Sequence, residues 1–202
     1  REDYGLAKDA FVLCSFNRAA KVSNTIFNVW TGILQRVPRA VLWLLSNGAE
    51  ADAALRATTA AAGISPDRVV FAASVPKLLH LRRHKHADLF LDTLSYNAHT
   101  TAADALHQGL PVLTCPGSTF ASRVSASLLK VAARRGVTQS RLSQLITPSL
   151  RAYADLAVEM ANDAALLSDM KQQVLTLVGS EPPQNDGLFD VTKFTHGLER
   201  LI

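Results

Sequence analysis

Short apolar runs alternate with amphipathic stretches over roughly the first 120 residues of the chain. Five apolar runs predict buried strands, at 10–15, 41–45, 69–73, 89–91 and 111–114. Between them, apolar residues recur at spacings of three and four, which predicts helices with one buried face at 25–37, 49–62, 77–84 and 100–108. Strands that alternate with helices in this way favour βαβ units, and therefore a Rossmann-like parallel sheet with helices on both faces.

The strand pattern ends near residue 120, and only helical patterns follow it. Helices are predicted at about 122–134, 139–146, 148–162, 164–178 and 190–202. Pro182 and Pro183 interrupt them, because proline disrupts a helix interior. We therefore expect a Rossmann-like α/β domain over 1–135 and a helical C-terminal extension over 136–202 that packs on the same lobe.

The composition is that of a globular protein with a basic balance. A hydrophobic content of 48% with 19% charged residues argues against extended disorder. The formal charge of +4 favours an anionic partner, which leaves nucleic acid, a membrane surface or a phosphorylated small molecule open. No apolar run of about 18 residues is present, so no membrane-spanning helix is predicted.

The two cysteines, Cys14 and Cys115, lie far apart, and no CxxC pair or His/Cys spacing suits zinc. Free buried thiols are therefore expected, which is consistent with a reducing compartment. The chain begins without an initiator methionine or the apolar region of a signal peptide, which is typical of a piece of a longer polypeptide.

Two loops that follow predicted strands carry cations. Ligands of open parallel sheets bind beyond the carboxyl ends of the strands, so cations there could meet an anion. Arg18 and Lys21 follow the first strand, where they could also be ordinary surface cations. Lys77, His80 and Arg83 follow the third strand and are spaced to share one helical face. The next three basic residues are expected to face solvent: His84, Lys85 and His86.

A third loop, Asn97–Asp104, follows the fourth strand. Thr100 and Thr101 fall at the start of a predicted helix, where hydroxyls, free N–H groups and the helix dipole can bind a diphosphate. Threonines at a helix start often serve only as caps, so the pair alone is a weak signal. Asp104 lies one turn later, and a carboxylate there could accept hydrogen bonds from ribose hydroxyls.

Several other chemistries lack their motifs. The sequence has no GxGxxG, Walker A, GxSxG or HExxH pattern. It also has no Asp-x-Asp motif, so no metal cofactor is expected at the diphosphate. Charge on a departing nucleotide would instead meet Lys21, the threonines and the helix dipole. The basic run at 77–86 has no interleaved aromatics, which disfavours a single-stranded nucleic-acid binder.

Two strings resemble the C-terminal catalytic lobe of the O-GlcNAc transferase family. One is Leu-Asp-Thr, then Asn-x-His-Thr-Thr, with Asp three residues later; the other is Pro-Gly-x-Thr-x-Ala-Ser-Arg-Val at 116–124. The similarity runs from about Tyr4 to the end of the chain. It implies a GT-B fold of two facing lobes. The implied reaction is inverting, metal-independent transfer of N-acetylglucosamine from UDP-GlcNAc to Ser or Thr of proteins.

The resemblance also implies residue roles at the phosphate end of the donor. Lys21 is similar to the lysine that contacts the diphosphate and assists departure of the leaving group. Thr100 and Thr101 resemble the other phosphate contacts, and His99 would lie against the phosphates and the sugar. Arg18 stands where the family usually has glutamine beside the diphosphate, and an added cation there could strengthen phosphate binding or alter donor choice.

At the nucleoside end, the resemblance implies a ribose and base pocket. Lys77 and Asp104 resemble the pair that holds the ribose. Arg83, with the backbone at Val75, resembles the uracil contact, and His80 would lie in the same pocket. The family also implies an N-terminal catalytic lobe and TPR repeats upstream, protein acceptors, and a cytoplasmic location that can extend to the nucleus.

Three departures from the family pattern leave alternatives open. Arg18, Ala20 and Tyr96 replace the usual residues, which keeps open a nucleotide-binding scaffold that has lost activity. The related SPINDLY branch, which transfers fucose from GDP-fucose, usually lacks the histidine before Thr-Thr, so His99 favours the UDP-GlcNAc branch. No repeat of about 34 residues marks a TPR segment within this chain.

Overall fold

The computed structural model describes residues 1–135, 140–178, 188–189 and 191–200. Its sheet has five parallel strands in the order β3-β2-β1-β4-β5. The strands are β1 (Phe11–Ser15), β2 (Ala40–Leu45), β3 (Val69–Ala72), β4 (Leu89–Leu91) and β5 (Val112–Leu113). The predicted parallel sheet is therefore confirmed, and each predicted strand is present within one residue at either end.

Helices connect the strands and then continue beyond the sheet. They are α1 (Asn24–Arg36), α2 (Ala49–Ala61), α3 (Lys77–Arg83), α4 (Thr100–His107), α5 (Val124–Arg135), α6 (Leu150–Asn162), α7 (Ala164–Val178) and α8 (Val191–Glu199). Ser23 caps α1 by accepting a hydrogen bond from the amide of Ile26. The predicted break at Pro182 and Pro183 lies outside the described residues.

The strand order places a topological switch point between β1 and β4. From β1 the chain moves outward through β2 and β3, and it then returns to pair β4 with the other side of β1. The loops after β1 and β4 therefore leave neighbouring strands at one edge of the sheet. Open α/β sheets bind their ligands in the crevice at such a point.

The C-terminal helices share the core of the sheet domain. Trp30 of α1 donates a hydrogen bond to the hydroxyl of Tyr153 in α6, at 3.3 Å, and both side chains are buried. The amide of Thr114 after β5 donates to the carbonyl of Leu145 at 2.9 Å. Lys171 of α7 pairs with Asp88, just before β4, at 2.8 Å. The proposed division near residue 135 stays a prediction.

Two details differ from expectation. The helix predicted at 139–146 is, in its described part, a 3-10 turn at Arg141–Leu145, with Ser140 accepting from the amide of Leu142. Within the described ranges, no helix combines the length and apolar character needed to cross a bilayer.

The predicted solvent-facing position of His84 and His86 is wrong. His84 is fully buried, with its ring 5.0 Å from that of Phe16. His86 is half-buried, and its ring lies 5.3 Å from that of Tyr4. The cause is a 3-10 turn at His84–His86, which follows α3 directly and leads back to β4, so that His84 packs against Phe16 and His86 against Tyr4; Lys85 is exposed as expected.

Candidate functional site

Lys21 reaches across the switch point from the loop after β1 to the loop after β4. Its Nζ donates to the carbonyl of Asn97 at 2.8 Å and lies 3.9 Å from the centroid of the Tyr96 ring. Burial lowers the pKa of Lys21, the charge of Arg18 lowers it further, and Asp92 opposes both. Arg18 itself is exposed, at the start of a 3-10 turn that Lys21 ends.

Asp92 organises the loop that follows β4. This buried carboxylate accepts hydrogen bonds from the amides of Thr93 (2.8 Å) and Ala98 (2.6 Å) and from the hydroxyl of Thr114 (2.7 Å). Burial raises the pKa of Asp92 to about 6, although the hydrogen bonds it accepts act in the opposite direction. These bonds fix the backbone that precedes α4.

The start of α4 is open to an anion. Among the described residues, no side chain caps this helix, and its N-cap residue is His99. The Thr101 hydroxyl turns away from the helix end and donates to Asn17 Oδ1 at 2.9 Å, while Thr100 is exposed. The first amides of an α-helix have no partner within the helix, so their N–H groups and the helix dipole favour negative charge here.

His99 joins the start of α4 to the segment after β5. Its Nε2 lies 3.1 Å from the carbonyl oxygen of Ala121. Because a carbonyl can only accept, Nε2 carries the hydrogen in this contact. The His99 ring lies 4.7 Å from that of Tyr96 and 6.4 Å from that of Phe120, so it has two aromatic neighbours.

Lys77 and Asp104 meet at the opposite end of the site. Lys77 Nζ lies 2.5 Å from Asp104 Oδ2, and the Nε2 of His80 is 3.9 Å from the same oxygen. The Lys77 side chain is 60% exposed and that of Asp104 only 14%. The pair joins α3 to α4 and presents a cation and a carboxylate at one corner of the crevice.

Arg83 lies beneath this corner and faces the protein interior. Its side chain is 1% exposed; Nη1 donates to the carbonyl of Ala73 at 2.8 Å, and Nη2 contacts His80 Nδ1. The guanidinium lies 4.4 Å from the centroid of the Phe16 ring. Burial is the main cause that lowers the pKa of His80 to about 4, with Arg83 and His84 acting in the same direction. Val75, in the loop before α3, is half-buried.

The predicted residues thus fall into two groups on one edge of the sheet. The first surrounds the start of α4: Arg18, Lys21, His99, Thr100 and Thr101. The second lies around α3: Val75, Lys77, His80, Arg83 and Asp104. Their roles as ligand contacts stay predictions. In the described part of the chain, no cluster of three or more His, Cys, Asp or Glu side chains could hold a metal ion.

Two organising residues escaped the sequence reasoning. Asp92 was visible only as the acidic residue that ends an apolar strand, and Asn17 only as a polar residue after β1. Its place directly after a buried strand is the signal that the sequence offers for Asp92. Nothing in the sequence alone pairs Asn17 with Thr101.

Relatives of this chain are found among peptide N-acetylglucosaminyltransferases. It is 37% identical, over 99% of its length, to a probable UDP-N-acetylglucosamine–peptide N-acetylglucosaminyltransferase, SEC, of Arabidopsis thaliana. It is 33% identical, over its whole length, to the UDP-N-acetylglucosamine–peptide N-acetylglucosaminyltransferase of Caenorhabditis elegans. The chain covers 19% and 16% of these relatives, respectively.

Solved structures agree with the fold. The O-GlcNAc transferase of Thermobaculum terrenum superposes with a TM-score of 0.84 at 26% identity, over 96% of this chain and 36% of that one. Anabaena HepE in complex with UDP and glucose superposes with a TM-score of 0.66 over all of this chain and 51% of that one; at 13% identity, this likeness concerns the fold alone.

A family model covers nearly the entire sequence. The model of glycosyl transferase family 41 matches residues 1–198. The expected resemblance to O-GlcNAc transferases is thereby confirmed: the chain belongs to glycosyl transferase family 41.

Proposed function

We propose that this chain is the donor-binding half of a protein O-glycosyltransferase that moves N-acetylglucosamine from UDP-GlcNAc to Ser or Thr of protein acceptors. The observation that carries the proposal is the uncapped start of α4 next to Lys21, at the switch point of the sheet. A donor diphosphate carries the negative charge that this arrangement favours. The names of the relatives supply the sugar and the kind of acceptor.

The geometry supports one orientation of the donor. The diphosphate would lie at Thr100 and Thr101 with Lys21 opposite, and the nucleoside would extend toward Lys77, His80 and Asp104. Lys77 donates and Asp104 accepts, so the two can hold vicinal ribose hydroxyls. The sugar would then lie near His99 and Tyr96, whose rings are 4.7 Å apart.

Lys21 would supply the electrostatic assistance to the leaving group. Its ammonium group can neutralise charge that develops on UDP, together with the amides of α4, in a reaction that needs no metal. We expect inversion at the anomeric carbon. The acceptor groove and the remaining catalytic groups would come from an N-terminal lobe and TPR repeats, acting in the cytoplasm or the nucleus. Transfer requires both lobes, because donor and acceptor must be oriented together.

A nucleotide titration of the protein with both lobes present tests the donor assignment. Isothermal calorimetry with UDP and with GDP should show a preference for UDP, because the pocket around α3 is proposed to fit uracil. A preference for GDP would support the GDP-fucose alternative instead. Equal and very weak binding of both nucleotides would favour a scaffold without a donor site.

A further inference from the structure

Asn97 is a fully buried polar residue that connects three loops of the site. Its amide N–H donates to the carbonyl of Ala121, after β5, at 2.8 Å, and its side-chain Nδ2 donates to the carbonyl of Thr93, after β4, at 2.6 Å. Its own carbonyl accepts from Lys21 Nζ, after β1, at 2.8 Å. One residue thus joins the segments that follow three neighbouring strands of the sheet.

The side chain of Asn97 matters because the backbone around it has no regular structure. Residues 92–98 belong to no helix or strand. The turn from Thr93 to Asn97 is closed instead by two side-chain hydrogen bonds: Asn97 Nδ2 donates to the Thr93 carbonyl, and Thr93 Oγ1 donates to the Tyr96 carbonyl at 2.7 Å. A carbonyl can only accept, so Nδ2 and not Oδ1 faces Thr93. The direction in which the Asn97 carbonyl points therefore depends on its own side chain.

The position of the Lys21 ammonium group depends in turn on this carbonyl. A lysine side chain is long and flexible, so it needs fixed partners to stay in one place. The second contact of Lys21 Nζ is the ring of Tyr96, whose centroid is 3.9 Å away. Asn97 and Tyr96 belong to the same turn, so opening that turn would remove both contacts together. The side chain of Asn97 thereby controls a cation that lies on another loop.

We propose that Asn97 is a positioning residue, whose side-chain amide fastens the turn at Thr93 and so holds Lys21 in place across the switch point. It acts through Lys21, since its own side chain is fully buried. That Lys21 then meets a donor diphosphate rests on the proposed function. The placement of Lys21 by Asn97 stands without it.

The first experiment follows Lys21 without a nucleotide. Competitive acetylation over a range of pH, read by mass spectrometry of peptides, gives the pKa and the reactivity of individual lysine amines in the protein with both lobes present. In the wild type, burial lowers the pKa of Lys21, and its free amine, held by two contacts, should react more slowly than that of the exposed Lys85. Equal reactivity of the two amines would mean that Lys21 is not held, which would overturn the proposal.

Asn97→Ala should release Lys21. Once the ammonium group enters water, the pKa of Lys21 should rise toward its ordinary value, and its free amine should react about two- to tenfold faster, the factor that one hydrogen bond contributes. Asn162→Ala is the matched control: its Nδ2 also donates to the backbone carbonyl four residues earlier, that of Val158, at 3.0 Å, but at an exposed position. Lys21 should be unchanged in this control. An equal effect of both variants on Lys21, or none in either, would contradict the proposal.

Thr93→Val keeps the proposal testable if Asn97→Ala does not fold. It opens the same turn from its other end, because the bond from Thr93 Oγ1 to the Tyr96 carbonyl is lost. Tyr96 is 45% exposed, so water can take the place of the missing hydroxyl and the cost to folding is small. We expect the pKa and the reactivity of Lys21 to shift in the same direction as in Asn97→Ala. No shift would show that this turn does not hold Lys21.

Titration of UDP into the same proteins shows whether Asn97 acts through Lys21. We expect Asn97→Ala to weaken UDP binding by about two- to tenfold, and to weaken it no further when Lys21→Ala is already present, because both changes remove the same contact. An equal loss of affinity with and without Lys21 would mean that Asn97 acts by another route, against the proposal. If the wild type does not bind UDP, the proposed function fails, while the acetylation of Lys21 still decides the role of Asn97.

Discussion

At the scale of single residues, Lys21 is the side chain on which the proposed chemistry most directly depends. Its Nζ contacts the Asn97 carbonyl and the Tyr96 ring and is only partly buried, so a phosphate can take one of its remaining N–H groups. Two contacts from the loop after β4 thus aim an ammonium group at the crevice. The Lys21 ammonium group is therefore held in position by the protein itself, so a substrate does not have to order it.

Lys21→Ala should abolish transfer with little effect on folding. We expect at least a 100-fold loss of turnover, as for the removal of one preorganised charge-stabilising donor, and a change in unfolding free energy below about 1 kcal/mol. Turnover with UDP-GlcNAc is measured with the other lobe present, and stability by urea unfolding. Lys85→Ala, at an exposed position, is the control. Undiminished turnover would remove Lys21 from its proposed role.

Asp92→Asn should destabilise the protein in a pH-dependent way. An amide can accept on only one of its two polar atoms, so one of the amides or the Thr114 hydroxyl loses its partner, at a cost of about 1–3 kcal/mol. Because the pKa of Asp92 is raised from 3.8 to about 6, the folded protein binds an extra proton between these values. This extra proton stabilises the folded wild type, and that stabilisation is lost as the pH rises through about 6. The variant has no carboxyl at this position, so its stability does not change in this way.

The measurement is urea unfolding of the wild type and Asp92→Asn at pH 4.5 and pH 7.5. The difference in unfolding free energy between them should be smaller at the higher pH. Asp67→Asn, at an exposed position, controls for general charge effects. A difference that grows with pH would mean that the pKa of Asp92 is not raised in the folded protein.

At the scale of elements, hydrophobic periodicity predicted every strand of the sheet and most of the helices. Buried parallel strands are continuous apolar runs, and Leu89–Leu91 is recognisable as one even at this short length. The pattern failed where tertiary contacts decide: the segment at 139–146 has apolar residues at helical spacing, yet its described part forms a 3-10 turn. His84 was misplaced for the same reason, since nothing local marks a basic residue as buried.

The site was predictable to the extent that it depends on strand order. Lys21 and Thr100 follow different strands, and only a parallel sheet with its switch point between β1 and β4 brings their loops together. The burial of Arg83 was not predictable, because a cation on an amphipathic helix is normally solvated. Its environment comes in part from Phe16, which directly follows β1 and is therefore distant from α3 along the chain.

Two glycines of this fold should respond in opposite directions to alanine. Gly109 follows α4 with φ +75, and an added Cβ would lie 2.4 Å from a methyl carbon of Leu175. Gly32 lies inside α1, where an added Cβ meets nothing within 4 Å. Gly109→Ala should therefore destabilise by about 1–2 kcal/mol, and Gly32→Ala should stabilise by about 0.5–1 kcal/mol.

The test is to measure the urea unfolding midpoints of the two glycine variants. The half-exposed Leu175 side chain can rotate away from an added Cβ, so we assign the loss of unfolding free energy in Gly109→Ala to the positive φ of this position. A shift of both midpoints in the same direction would contradict the conformations assigned to these positions.

At the scale of the whole molecule, a buried hydroxyl connects α6 to the switch point. Tyr153 accepts from Trp30 Nε1 at 3.3 Å and donates to the carbonyl of Asp92 at 3.1 Å. Burial raises the pKa of Tyr153 well above its ordinary value, so the hydroxyl stays neutral and remains a donor. The residue that fixes the loop before α4 is thus held in turn by a helix from the C-terminal part of the chain.

Tyr153→Phe should therefore affect both stability and the donor site. It leaves two buried groups without partners, which costs about 2–3 kcal/mol, and it frees the backbone at Asp92. Its effect combined with Asp92→Asn should be less than additive, because both act on the same loop. Urea unfolding and UDP titration of the single and double variants measure this coupling, with Tyr4→Phe as a control at a half-buried tyrosine.

If Tyr153→Phe behaved like Tyr4→Phe, the C-terminal helices would only cover the sheet, and the division near residue 135 would mark an energetic boundary. A loss of both stability and UDP binding would instead make residues beyond 135 part of the structure that builds the site.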